Sequence, residues 1–238
     1  MRTAILLAGH TRTYRHCLES FWKAFGHLTP DIFIHTWDKT GASDKLWWAN
    51  DGEPNSTRTD EGELVVDYDP RVIQIVPEMK RTEGNEEHQA QQRMKSQWWS
   101  PLMALVTVPK LNTYDLVIKT RFDLMYENKF DPREPYGVWP AERTYFVPYP
   151  ISMLRNVHSD TFVAGTPEFM TQYLQYYHHI KRYMDRSVVT MGVPGWCSEY
   201  GATAFMRDHN YWGITPTLTT LKASILRESG DRINLFTR

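Results

Sequence analysis

The chain has 238 residues, 41% of them hydrophobic and 13% aromatic, with a formal net charge of −1. That is enough apolar material for one large α/β core, and a balanced charge gives no reason to expect nucleic acid or an anionic membrane as a partner. The two cysteines, Cys17 and Cys197, have no metal-ligand spacing and read as reduced thiols, and no apolar run of about 18 residues is present to span a bilayer.

Thr3–Ala8 (TAILLA) is a continuous apolar run, the pattern of a strand buried on both faces, and Gly9-His10-Thr11-Arg12 follows it as a turn. Read this way, Met1–Ala8 is too short for a signal peptide, and the expected location is the cytoplasm (the host's, if the source is viral). Leu18, Phe21, Trp22, Phe25 and Leu28 recur at helical spacing and predict a helix over about His16–Leu28, stopped by Pro30. Asp31–Thr36 (DIFIHT) is a second strand, ending at Trp37-Asp38. This strand–turn–helix–strand opening implies a parallel sheet with a right-handed crossover.

From Lys39 to Glu63 the composition is that of a long loop, whose Trp47-Trp48 pair suits stacking on a sugar or base, with core packing as the even alternative. Arg71–Val76 alternates as a strand, Glu78–Gln92 is polar, and a helix covers much of Gln91–Leu111. Ser100-Pro101 is placed to start a second helix there. Strands follow at Tyr114–Ile118, Thr144–Val147 and Ser159–Ala164. A helix starts at Thr166-Pro167-Glu168 and runs to about Arg186, another covers Ser198–Asp208, and late strands are expected at Trp212–Thr217 and Ala223–Arg227. Tyr173, Tyr176 and Tyr177 are read as an exposed aromatic cluster fit for an interface. One continuous domain is expected, proline-rich Asp131–Ala141 being its weakest point.

The most informative stretch is Tyr114–Tyr126 (YDLVIKTRFDLMY), where an apolar strand runs directly into charge. In open α/β sheets, ligands bind outside the carboxyl ends of the strands. Lys119, Arg121 and Asp123 share one face if the extended backbone continues, and two cations beside a carboxylate point to a bound anion, with or without a metal. The alternative is an ion pair closing the end of a core strand. At the first turn, Arg12 and the amides of the helix N-terminus suit a phosphate, against an ordinary βα turn. Asp38 can accept from a ribose or base edge, against an N-cap or turn aspartate. His35 reads as a satisfied core histidine. Asp123 can hold Mg²⁺ or Mn²⁺ only with a further oxygen, from Asp160 or from nucleotide phosphates. Glu199 can serve as a general base, although Ser198-Glu199 is also how a plain helix start is written. His158, His178, His179 and His209 lack zinc-site spacing.

Taken together, AILLAGHTRTY, PDIFIHTWD, YDLVIKTRFDL and SDTFVAGTPEFM, in this order, resemble small bacterial and viral nucleotide-sugar glycosyltransferases with a GT-A-like fold. The resemblance spans about Thr3 to Met170. It implies a Rossmann-type, mostly parallel central sheet flanked by helices, with a nucleotide-binding half at about 1–125 and an acceptor-binding half at 126–238. A UDP-, GDP- or dTDP-sugar donor would lie beside Gly9, His10, Arg12 and Asp38, with a glycan or other hydroxyl acceptor facing Asp160 and Gly165. Glu199 matches an acid in the C-terminal part of such enzymes. Arg121-Phe122-Asp123 stands where the family carries an Asp-x-Asp metal motif, so a Mn²⁺ or Mg²⁺ site at Asp123 would be weak or metal-optional. If the reaction inverts the anomeric centre, Glu199 or Asp160 is the expected base. The alternatives are another nucleotide-using transferase, whose phosphate-handling loops are not recognisable here, and a catalytically silent nucleotide-sugar or glycan-binding module.

Overall fold

The computed structural model describes residues 1–40, 57–78, 86–133, 145–147, 161–183, 198–209, 217–218, 221, 223–226 and 232–234. The elements run β1 (Thr3–Gly9), α1 (Tyr14–Phe25), β2 (Asp31–Trp37), α2 (Glu61–Tyr68), β3 (Val72–Val76), α3 (Glu86–Val106), β4 (Leu116–Thr120) and β5 (Leu124–Tyr126). They continue with β6 (Tyr145–Val147), β7 (Val163–Gly165), α4 (Pro167–Leu174), α5 (Ser198–Asp208), β8 (Thr217–Leu218), β9 (Ala223–Leu226) and β10 (Arg232–Asn234).

A mostly parallel sheet of order β3-β2-β1-β4-β7-β6-β8 forms the centre, and a small sheet of order β10-β9-β5 lies beside it. β1 pairs in parallel with β2 and β4, and β2 with β3, whereas β7 runs against both β4 and β6. The chain therefore moves outward from β1 to β2 to β3, then returns to lay β4 on the other side of β1. That reversal is a topological switch point, and it leaves a crevice between the carboxyl ends of β1 and β4.

Alternation along the strands builds a core on each face of the sheet. Ile5, Leu7, Ile32, Ile34, Leu116 and Ile118 pack with α1 and α2, while Ala4, Leu6, Phe33 and Val117 pack with α3, α4 and α5. Phe25 and Phe33 are fully buried, each worth about 1.5–3 kcal/mol relative to exposure. α1 buries Tyr14, Cys17, Phe21, Ala24 and Phe25, a stripe at helical spacing. The chain crosses from the large sheet to the small one over residues 121–123, so β5 packs under α1, with Tyr126 edge-on to Phe25 at 4.8 Å.

The structure departs from the sequence expectations at several places. α2 begins at Glu61, inside the stretch read as loop, because Asp60 caps the Glu63 amide at 3.1 Å and Leu64 and Tyr68 bury one side of it. α3 starts at Glu86, within the stretch read only as polar, and is continuous through Pro101. Ser100 opens no new helix; its hydroxyl is bonded to β1 and β2 instead. β4 starts at Leu116 rather than Tyr114, since Tyr114 closes a 3₁₀ turn over Leu111–Thr113. Tyr173 and Tyr176 are fully buried against Trp98, so they cannot form an exposed interface cluster.

Candidate functional site

The crevice at the switch point is closed by charge. Arg121 donates to Asp123 through Nε at 2.9 Å and Nη2 at 2.7 Å, a two-pronged fork on one carboxylate. From the β1–α1 turn, Arg12 Nε stands 3.7 Å from Asp123 Oδ2. The carboxylate is 1% exposed, whereas the Arg12 and Arg121 side chains are 14% and 23% exposed. One buried anion thus gathers two guanidiniums from β1 and β4 at the crevice.

Lys119 does not join this group. The strand ends at Thr120 and the chain turns over Phe122-Asp123, so the alternation that would align Lys119 with Arg121 and Asp123 is broken. Lys119 points to the α3 face, 3% exposed, with its ammonium 5.9 Å from the Trp98 ring centroid. Thr120 faces the other way and hydrogen-bonds the hydroxyl of fully buried Tyr126, whose pKa burial drives far above the usual phenol value.

The first turn is shaped by Gly9 at φ 105°, a left-handed value that disfavours any side chain even though the space around it is open. Its amide donates to Ser100 Oγ at 3.0 Å. Arg12 N donates to the Thr40 carbonyl, Tyr14 N to Thr11 and His16 N to Thr13. These three amides are taken up by backbone carbonyls rather than left as the expected cradle, and the turn contributes the Arg12 guanidinium to the Asp123 group.

Asp38 closes the end of β3. Its Oδ1 accepts from Glu78 N at 3.0 Å, and its own amide donates to Val76 O, so Asp38 ties the end of β2 to the end of β3 across the sheet. His10 bridges across it, with Nδ1 3.2 Å from Lys39 O and Nε2 3.4 Å from Glu78 Oε1. The carboxylate offered outward at the β2–β3 edge therefore includes Glu78, which sequence reading passed over. The signal was available: Glu78 lies two residues past a parallel strand, the same position that drew attention to Asp38. Lys39 and Arg58 pair in a short antiparallel bridge, and Thr11 Oγ1 lies 3.3 Å from Thr59 Oγ1, so residues on both sides of 41–56 meet at this end of the sheet.

His35 is a core histidine, 1% exposed, with its ring edge-on to Trp99 at 4.7 Å. Ser100 Oγ donates to His35 O at 2.9 Å and accepts from Gly9 N, so its remaining lone pair accepts a hydrogen bond from His35 Nδ1–H at 3.0 Å. The ring is neutral, and burial pushes its pKa down to about 4 against a smaller opposing backbone bond. A cavity of about 480 Å³ against edge strand β3, lined in part by His35, Trp99 and Met103, includes none of the Arg12, Arg121 and Asp123 group.

Both Asp123 oxygens accept from Arg121, and among the described residues no group of three or more His, Cys, Asp or Glu is placed to hold a metal ion. Asp160 and the Trp47-Trp48 pair lie outside the described residues, and Glu199 is described only by its backbone, in the first turn of α5. Gly165 ends β7, paired with Val117 of β4. No helix among the described residues is long and apolar enough to cross a membrane. Compared with protein-family models and with curated proteins, the sequence matches none.

Proposed function

We propose that this chain is a nucleotide-sugar-dependent glycosyltransferase with a GT-A-like fold, moving a sugar from a UDP-, GDP- or dTDP-linked donor to a hydroxyl of a glycan acceptor. The observation that carries the reading is the pairing of Arg12 with Asp123 across the β1–β4 switch point, with Arg121 on the same carboxylate. A crevice at this position is where open α/β sheets take their ligands, and guanidinium groups there recognise phosphate.

In the reaction, the bond from the anomeric carbon to the diphosphate oxygen breaks and its electron pair leaves with the nucleoside diphosphate. The acceptor oxygen forms the new bond, and its proton passes to a base. Arg121 and Arg12 act on the charge that develops on the leaving diphosphate, which favours the transition state over the ground state. For an inverting reaction the proton acceptor is a carboxylate, and Glu199 or Asp160 is proposed for it.

The test is a thermal-shift and calorimetric screen of nucleoside diphosphates and their sugars, followed by assay of nucleotide release with glycan acceptors. The reading expects a shift with one nucleotide class and release of its diphosphate, lost in Glu199→Gln with nucleotide binding retained. A second reading is favoured by the Arg121 fork on Asp123, which occupies the carboxylate: a module that binds the nucleotide sugar without turning it over. Binding without release to any acceptor selects that module, and no response to any nucleotide rejects both.

A further inference from the structure

β3 ends the seven-stranded sheet, and among the described residues no strand pairs with its outer side. Natural sheets blunt such an edge with a charge, a proline or a bulge. Val72–Val76 (VIQIV) carries no charge or proline, and Pro70 and Pro77 stand only at its flanks. Val72, Ile73, Ile75 and Val76 are half-buried, and Gln74 is exposed. A groove of about 480 Å³ follows this edge, with Glu61 of α2 on one side and Trp99 and Met103 of α3 on the other. We propose that the groove takes β3 of a second copy of this chain, antiparallel about a two-fold axis at Gln74, so that two central sheets join into one.

The strand reads the same in both directions. An axis at Gln74 sets Val72 against Val76 and Ile73 against Ile75 of the second copy, so every flanking pair is β-branched on β-branched. Gln74 meets itself, and an amide both donates and accepts where a charged residue would repel its own copy. The backbone is in phase with this register. The Val76 carbonyl turns inward to the Asp38 amide, and hydrogen-bonding groups alternate sides along a strand, so those of Ile73 and Ile75 turn outward. The axis sets these two residues opposite one another as a hydrogen-bonded pair on each side of Gln74.

Such an axis stands perpendicular to the sheet, so α2 meets its own copy on one face and α3 on the other. Val65 lies one turn from Glu61 on α2 and is 45% exposed. Val106 continues the Trp99–Met103 row of α3 and is 70% exposed. Both leave apolar surface beside the groove for a second copy to cover. Charge agrees with the direction of pairing. Glu61 begins α2, which crosses back from β2, so it stands at the carboxyl end of β3, while Arg71 stands at the amino end, 70% exposed. The antiparallel arrangement brings the Arg71 end of each copy to the Glu61 end of the other. Each copy offers one β3 and the pair uses both, so assembly stops at two.

The experiment is sedimentation velocity with light scattering on the purified full chain, from about 1 to 100 μM. The proposal expects a monomer–dimer equilibrium with a dissociation constant of about 10 μM or tighter. Gln74→Lys and Gln74→Glu should each weaken the dimer by about tenfold or more, because like charges meet on the axis, and an equimolar mixture of the two should recover it. Gln74→Cys should form a disulfide-linked dimer under mild oxidation, since a non-hydrogen-bonded pair sets its Cα atoms about 4.5 Å apart, within the range a disulfide spans. Wild type under the same oxidant controls for the native thiols. Position 74 is exposed, so these substitutions spare the core, and circular dichroism checks that each variant is folded. A wild-type chain that stays monomeric throughout overturns the proposal. So does a dimer that Gln74→Lys leaves unchanged, or one that the mixture fails to restore. Assembly that grows beyond two copies overturns the closed two-fold pairing.

Discussion

His35 shows how one buried residue ties the chemistry of the sheet to pH. Its neutral ring donates to Ser100, which in turn accepts from Gly9 and donates to the His35 carbonyl, so one hydroxyl uses all its hydrogen-bonding capacity on β1 and β2. Because the folded pKa is depressed to about 4 from an ordinary 6.5, the unfolded chain takes up a proton first as pH falls. Stability from this group is complete above pH 6.5 and is lost between there and about pH 4. At 1.36 kcal/mol per pKa unit the loss comes to about 3 kcal/mol. His35→Asn keeps a side-chain donor near the Nδ1 position and cannot titrate. Urea unfolding of wild type and His35→Asn between pH 6.5 and 5, above the range of ordinary carboxylates, should therefore give a falling midpoint for the first and a flatter one for the second. Parallel slopes would mean that His35 titrates normally.

Among the elements, α5 is placed by its closest approach to the tyrosine-rich turn after α4. A Cβ on Gly201 would overlap the Tyr176 hydroxyl and come within 2.9 Å of its Cζ, and Tyr176 is fully buried against Trp98 and Phe205. In an exposed helix, Gly→Ala gains about 1 kcal/mol. Here the overlap wins, and Gly201→Ala is expected to destabilise the chain by about 1–3 kcal/mol. Tyr176→Phe removes the overlapping oxygen and should recover part of that loss, so a double-mutant cycle by thermal unfolding will show coupling between the two positions. Independent, additive effects would contradict the contact. Such a contact joins positions far apart in the chain, and it is invisible to local pattern. By contrast, β1, β2 and β4 were legible because doubly buried strands write continuous apolar runs, and Gly9, Arg12, Asp38 and Arg121 stand at or just past their carboxyl ends, where the proposed site lies. The capping pattern Asp60–Glu63 was also present in the sequence, but it sits in a polar stretch that composition alone reads as loop. Ser100 was misread because a serine before proline is locally a helix start, and only the packing of α3 on the sheet assigns its hydroxyl to β1 and β2.

Across the whole molecule, the central sheet carries polar networks at both ends, and they divide the labour. At the amino ends of the strands, Asp31 accepts from Arg71 Nε at 2.7 Å, Tyr114 Oη at 2.8 Å and Arg2 Nη2 at 3.2 Å, while Arg2 N donates to Asp115. Burial alone would raise the Asp31 pKa, but the hydrogen bonds from Arg71, Tyr114 and Arg2 outweigh it and hold the carboxyl below its usual range. At the carboxyl ends stand Arg12, Arg121 and Asp123. A strand of 7 residues such as β1 spans about 20 Å at the usual rise, roughly twice the screening length at physiological salt. Charge changed at one end is therefore expected to reach the other only weakly, the more so because Arg2 and Arg71 are largely exposed. Asp31→Asn is expected to cost about 1 kcal/mol at neutral pH, a small value because Arg2 and Arg71 are largely exposed. With a depressed folded pKa, the Asp31 contribution is present above the unfolded carboxyl pKa and lost as pH falls through the folded one, so wild type and Asp31→Asn should converge in acid. Nucleoside diphosphate affinity should be unchanged in Asp31→Asn and reduced in Arg12→Gln. Equal losses of affinity in the two variants would show that the sheet transmits charge or strain end to end, and would rule out a ligand site confined to the switch point.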